Sequence, residues 1–228
     1  PIPNPGYTKK LGSIRDLTFE NIRFTNPMDH PYSQKSGDNI HEMMLIGLNP
    51  KYNTIEDGEE HHISDVLFKN VYLEMPGGAT TVPVFTEGIS NGYPEHDALK
   101  TSTGWAYTLR WTDNVRFVNC QSVAAKADAR DEIVRADYTD NAAQTALWTV
   151  VEQAQAVQSA PNFVTAPETL RQSLTQTLDA AIAVYEDNNA TTADSEQARE
   201  ALQTALAAYT AVVKADKTAL QQAIAALA

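Results

Sequence analysis

The sequence predicts a β-then-α protein, with a right-handed parallel β-helix (its C-terminal coils) over residues 1–140 followed by a three-helix bundle. Three observations carry this. One strand motif recurs at a fixed interval in the first part, every glycine lies in that part, and the rest is written in helix-forming residues with three apolar stripes.

The recurring motif reads SIRDLTFENIRF at 13–24, HISDVLFKNVYL at 62–73 and, more weakly, WTDNVRFVNCQS at 111–122. Ile14, Ile63 and Thr112 lie 49 residues apart, as do Phe19, Phe68 and Phe117, and Asn21, Asn70 and Asn119. Asp16 and Asp65 are followed at the same interval by Asn114. A fixed period of tens of residues marks stacked units. Half the interval, roughly 25 residues, suits one coil of a parallel β-helix whose strands are about 5–6 residues long. EMMLIGL (42–48) and WAYTLRW (105–111) would be the intervening strands. In this register the three Phe stack inside. The three Asn form a ladder at a bend, with amides bonded to backbone or to one another. Three ordinary strands of a sandwich are the alternative, and the equal spacing favours the coil.

The composition changes near residue 141. All ten glycines, from Gly6 to Gly104, precede it, and residues 141–228 are rich in Ala, Gln, Thr and Leu, residues that lose little on entering a helix. TALWTVVEQAQAV (145–157) places Leu147, Val150, Val151, Ala154 and Val157 on one face. TAPETLRQSLTQTLDAAIAVY (165–185) opens with Thr165 and Glu168 at capping-box spacing and carries Leu170, Leu174, Leu178, Ala181, Ile182 and Tyr185. After the polar EDNNATT, a third stripe runs through Ala198, Leu202, Ala205, Leu206, Tyr209 and Val212. Three amphipathic helices with short connections bury one another as an antiparallel bundle over 141–214. KTALQQAIAALA (217–228) repeats QTALWTVVEQAQ (144–155), so 215–228 read as the start of a second helical module. With Pro1 opening in mid-pattern, the sequence reads as an internal piece of a longer protein.

The net charge of −12 argues against nucleic acid and anionic membrane surfaces as partners. No apolar run approaches the roughly 18–20 residues of a membrane span, so no membrane insertion is expected. The single cysteine, Cys120, aligns with Ile22 and Val71 and reads as a small apolar core residue.

The helical part resembles a FIVAR-type module through KTALQQAI, YEDNNATTADSEQAREALQTAL and the repeat length, with SAPNFVTAP (159–167) departing from the usual entry to the second helix. That resemblance implies a spacer, or a glycan- or protein-binding module, in a secreted or cell-surface protein of a Gram-positive bacterium. The first part resembles the last coils of family 28 glycoside hydrolases, the polygalacturonase-like pectinases. The residues carrying it are IRDLTFENIRF, the Met75 to Gly78 turn, Tyr93 to Glu95, the strand from Trp105 to Trp111 and the closing segment from Asp128 to Ile133. The resemblance implies a polysaccharide-degrading enzyme acting on pectin-like galacturonan by inverting hydrolysis, a reaction that needs two carboxyl groups about 6.5–9.5 Å apart. The family's Asp-Asp pair, Gly-His-Gly and Arg-x-Lys motifs are not in this sequence. No catalytic residue is therefore assigned, no substrate-binding residue is fixed, and neither a metal nor a cofactor is expected. A non-catalytic surface adhesin or glycan-binding protein is the competing reading. A polysaccharide lyase is a third, and would call for a Ca²⁺ carboxylate cluster.

Several residues invite a chemical reading and have a plainer one. His61 and His62, beside Glu59 and Glu60, lack facing ligands and read as a solvated turn. Asp16 and Asp65 open their strands and read as turn residues bonded to their own backbone rather than as an acid–base pair. Trp105, Tyr107, Leu109 and Trp111 alternate along one strand face and read as core or loop packing, with a sugar platform as the alternative. Arg110 and Arg116 read as surface residues, or as partners of a uronate carboxylate. The PGGA at 76–79 is a turn without the strand-then-helix setting of a phosphate loop.

Overall fold

The computed structural model describes residues 14–25, 43–47, 62–82 and 104–226. The chain forms two compact units, Pro1–Asp140 and Asn141–Ala228. In the first, β1 (Ile14–Glu20), β2 (Arg23–Thr25), β3 (Met43–Ile46), β4 (Ile63–Lys69), β5 (Tyr72–Gly77), β6 (Tyr107–Val118), β7 (Gln121–Lys126) and β8 (Ile133–Thr139) follow in order. They assemble into two sheets in which every pairing is parallel. One has the order β1-β4-β6-β3 with β8 also paired to β6, and the other has the order β2-β5-β7.

The 49-residue interval is the register of these sheets. Ile14 pairs with Ile63 and Ile63 with Thr112; Phe19 pairs with Phe68 and Phe68 with Phe117. The Phe rings stack at 5.0 and 5.2 Å between centroids, within 13° and 9° of parallel. Each strand of the repeat contains one residue in the left-handed region at its centre and another at its end. Asp16, Asp65 and Asn114 have φ of 58°, 55° and 50°, and Asn21, Asn70 and Asn119 have φ of 57°, 53° and 51°. Asn and Asp tolerate this conformation better than other non-glycine residues, which is why these columns keep them. Their side chains bond along the column: Asn119 Nδ2 donates to Asn70 Oδ1 at 2.7 Å, Asn70 Nδ2 to Asn21 Oδ1 at 3.0 Å, and Asn114 Nδ2 to Asp65 Oδ1 at 2.8 Å.

The right-handed parallel β-helix expected for residues 1–140 is corrected by this topology. The described residues form two parallel sheets which, with the helices of the second unit, make an α/β architecture. The repeat dictates which strands lie side by side; it does not dictate that the chain closes into coils. β6 shows the difference. Its twelve residues take in WAYTLRW's strand portion and the third copy of the motif together. Its first half lies beside β3 and its second half beside β4. One strand thus fills two positions that a coil would keep separate.

The core of this unit holds Val66, Phe68, Val71, Leu73, Met75, Ala106, Tyr107, Leu109 and Val115, with Cys120 half-buried at its margin. Burial pushes the Cys120 thiol above its ordinary value, and its Sγ lies 3.3 Å from the Phe68 carbonyl.

The second unit contains α1 (Ala142–Gln158), a short 3₁₀ turn (Phe163–Thr165), α2 (Glu168–Glu186) and α3 (Thr192–Ala226). Each helix packs on the other two. Leu147, Val150, Val151 and Ala154 of α1, Leu174, Leu178, Ala181 and Tyr185 of α2, and Leu202 and Tyr209 of α3 are buried, as the stripes require. Trp148 stacks on Tyr185 at 4.4 Å. Asn141 caps α1, its Oδ1 accepting from Ala143 N and Gln144 N. The expected Thr165–Glu168 capping box is not formed, because α2 starts at Glu168 with Pro167 as its N-cap and no side-chain cap bond. Thr165 Oγ1 instead donates to Asn162 O. A reciprocal cap appears at α3: Asp194 N donates to Thr191 Oγ1, and Thr191 N donates to Asp194 Oδ2. These bonds from Thr191 hold the Asp194 carboxyl below its ordinary value. α3 runs unbroken for 35 residues, so no change of element marks the expected division between 141–214 and 215–228.

Candidate functional site

In the strand unit the structure assigns most of the singled-out side chains to structural bonds. Asp65 accepts from Asn114, and Asp16 lies 3.6 Å from Arg15 Nε. Their partners are the ladder and a neighbouring arginine rather than their own backbone. His62 is not in a solvated turn. Its side chain is 14% exposed and its Nδ1 lies 2.9 Å from Asp113 Oδ2. Asp113 Oδ1 accepts from Thr139 N, so one carboxylate ties the entry of β4 to the end of β8. The register could have found this pair, because Ile63 over Thr112 brings His62 beside the β6 residues near Asp113. His61, Glu59, Glu60 and the Tyr93 to Glu95 segment lie outside the described residues.

The alternation from Trp105 to Trp111 holds only in part. Tyr107 and Leu109 are core residues, 1% and 0% exposed, and burial raises the Tyr107 phenol well above its usual value. Trp111 has φ of 48°. A left-handed residue interrupts the two-residue period of a strand, and this one is bulky where the other non-glycine residues of positive φ are Asp or Asn. The Arg110 guanidinium lies 4.0 Å from the centroid of the Trp111 ring, and Arg110 Nε donates to Asp137 Oδ2 at 3.2 Å. Arg116, expected at the surface, is 3% exposed. Neither arginine presents an open guanidinium to a ligand.

Ala79, just after the Met75 to Gly78 turn, and the segment from Asp128 meet in one knot. Asp128 Oδ2 accepts from Ala79 N at 3.1 Å, and Ala129 N donates to Ala79 O at 2.9 Å. Asp128 also takes Nε and Nη2 of Arg130, each at 2.9 Å, with both side chains almost wholly buried. Burial alone would raise the Asp128 carboxyl. The Arg130 bonds, the Ala79 N–H and the guanidinium charge outweigh it and hold the carboxyl below its usual value. Gly77, at φ 60°, fits here because a Cβ would collide with the Lys126 carbonyl. This knot is a structural fastening, with both charged groups engaged.

An open recess lies in the helical unit. A cleft of about 320 Å³ is lined by Phe163, Glu168, Arg171, Gln172, Thr175 and Gln176, at the small end of ligand-site sizes. The 3₁₀ turn brings Phe163 to the mouth of α2, where its ring lies 5.5 Å from that of Tyr209. Glu168, Arg171, Gln172, Thr175 and Gln176 recur at helical spacing along α2. Arg171 Nε donates to Ala166 O at 3.0 Å, which orients the guanidinium and leaves its terminal nitrogens without a partner among the described residues. Gln172 Nε2 donates to Glu168 Oε1, and Thr175 Oγ1 accepts from Gln158 Nε2. The lining offers an aromatic ring, a forked cation, a carboxylate, a hydroxyl and amide groups. Sequence periodicity does not single it out, because Phe163 lies in the 159–167 segment between two apolar stripes. An aromatic residue two positions before Thr165, with Arg and Gln beyond it on one face of α2, is the signal that could have found it.

No family model, curated protein or solved structure matches the chain. Among the described residues, no three of His, Cys, Asp and Glu gather as a metal site, and no helix is long and apolar enough to cross a membrane.

Proposed function

We propose that this chain serves an exported, polysaccharide-degrading glycoside hydrolase of a Gram-positive bacterium, acting on pectin-like galacturonan by inverting hydrolysis. In this reading its own part is to hold and space glycan rather than to cut it. The sequence resemblances motivate the substrate class. The non-cutting role is supported by the strand aspartates Asp65, Asp113 and Asp137, which are engaged by Asn114, by His62 with Thr139 N, and by Arg110; Asp16 makes only an exposed ion pair with Arg15 at 3.6 Å. A carboxyl fixed in such bonds is poorly placed to exchange a proton across a glycosidic bond.

The observation that carries the glycan contact is the cleft beside Phe163. A sugar ring would lie against the phenyl face, and a uronate carboxylate would take the two terminal nitrogens of Arg171, the pairing a planar guanidinium favours. Gln172 and Gln176 would meet hydroxyls. Titration calorimetry of the chain with trigalacturonate tests this. Saturable heat is expected, weakened about tenfold or more by Arg171→Gln and by Phe163→Ala. Equal binding by the variants, or no heat at all, would remove the cleft from the account.

A further inference from the structure

We propose that the outer edge made by β1 and β2 is a docking site for an extended peptide segment that adds in parallel and carries Phe and Asn two residues apart. The inference rests on the strand unit alone and is independent of the glycan reading. Among the described residues, β1 has β4 as its neighbour and β2 has β5, so each has one edge without a strand partner among them. Unpaired strand edges are templates for strand addition.

The burial gradient shows that this edge has the chemistry of an interior rung. Phe24 is 43% exposed, whereas Leu73, its register partner, is 0% exposed. Leu17 and Phe19 are half-buried, but their partners Val66 and Phe68 are 0% and 2% exposed. Ile22 is half-buried, and Val71, 49 residues on, is 1% exposed. These positions differ in what lies beside them, not in residue class.

Continuity with the existing interfaces names the occupant. Two successive pairings, β1 with β4 and β4 with β6, repeat one register and one set of rungs. Among the described residues, Phe19 stacks on Phe68 through one face, and its other face would continue the column. The amide ladder is directional: each Asn Nδ2 donates to the Oδ1 of the next strand outward. Asn21 Nδ2 is the last donor and has no partner among the described residues. An incoming Asn would accept from it, and an incoming Phe two residues earlier would cover Phe19. The third column sets a limit. Asp16 stands over Asp65, since Arg15 pairs with Ser64 and Leu17 with Val66, so an arriving carboxylate at that position would meet like charge.

The probe is a synthetic peptide of residues 62–73, HISDVLFKNVYL, offered to the intact chain. Because the peptide is varied and not the protein, folding stays constant. Saturable binding by fluorescence anisotropy is expected, with slowed amide exchange confined to β1 and β2. A peptide with Phe68→Ala and Asn70→Ala should bind at least about tenfold more weakly, from the lost ring burial and stacking. A peptide with Asp65→Asn should bind up to about fivefold more tightly, the scale of an exposed charge pair. Absence of binding, equal binding of a scrambled peptide, or protection elsewhere would overturn the proposal.

Discussion

Replacing Phe68 by Ala tests the ladder at its most connected point. The ring is 2% exposed, stacked between Phe19 and Phe117, and edge-on to Tyr107 at 5.4 Å. Removal takes away the burial of a phenyl group and leaves a cavity bounded by strands that pair on both sides, so the walls have little freedom to collapse. Large-to-small changes of this kind cost about 3–5 kcal/mol, and the three ring contacts, at roughly 0.5–1.5 kcal/mol each beyond burial, place Phe68 in the upper half. Phe19→Ala is the internal control. Phe19 is half-buried with one stacked partner and should cost about 1–2 kcal/mol. The assay is urea unfolding followed by tryptophan fluorescence in a Trp148→Phe background, which leaves Trp105 and Trp111 to report on the strand unit alone. Separate reporting matters because two compact units need not melt together. Equal losses for the two variants, or a loss below about 1 kcal/mol for Phe68→Ala, would refute the reasoning that rung burial holds the sheets.

Asn70→Gly should lose the ladder bonds but keep the left-handed backbone, whereas Asn70→Ala should cost about 1 kcal/mol more because alanine is strained at φ 53°; comparative urea melts separate the two. Tyr138 accepts from Val115 N and donates to Asp140 Oδ1, and burial together with the Asp140 bond pushes its phenol up to about 12. A phenol raised on folding stabilises fully below its ordinary value of 10.0 and loses that contribution as pH climbs through about 12; Tyr138→Phe should reduce the alkaline loss in melts taken from pH 8 upward, leaving the share of the Tyr107 phenol and the Cys120 thiol, which burial also raises. A polypeptide of residues 141–226 should show helical circular dichroism and a cooperative melt of a few kcal/mol, the stability that a core of this size supports; a disordered spectrum would contradict the mutual burial of the three stripes.

The parts of the fold that local pattern and simple periodicity control were legible in the sequence. The interval between Phe19, Phe68 and Phe117 gave the parallel register, because in-register strands place equivalent residues side by side. The helical stripes gave Leu147, Leu174 and Leu202 as core residues. Long-range closure was not legible: nothing local says that β6 will run on through twelve residues and serve both β3 and β4. The capping spacing overpredicted at α2, where Pro167 takes the N-cap position in place of Thr165, while the same spacing at Thr191 and Asp194 does form a reciprocal cap at α3. Trp111 left its expected face because a left-handed φ at a tryptophan contradicts local preference. The His62–Asp113 pair joins residues 51 apart in sequence, visible only once the register is known. The cleft at Phe163 depends on how a 3₁₀ turn enters α2, a geometry that composition does not carry.

Whether this chain cuts polysaccharide is decided by reducing-end release from polygalacturonate, followed for the purified chain across pH 3–9 (about the range in which carboxylate pairs exchange protons). No release above the no-enzyme control is expected at any pH, because Asp65, Asp113 and Asp137 are already bound to partners within the fold and Asp16 is left in a solvent-exposed pair with Arg15. Release that Asp16→Asn, Asp65→Asn or Asp113→Asn abolishes, while the fold is retained by circular dichroism, would contradict this and place a catalytic carboxylate in the ladder.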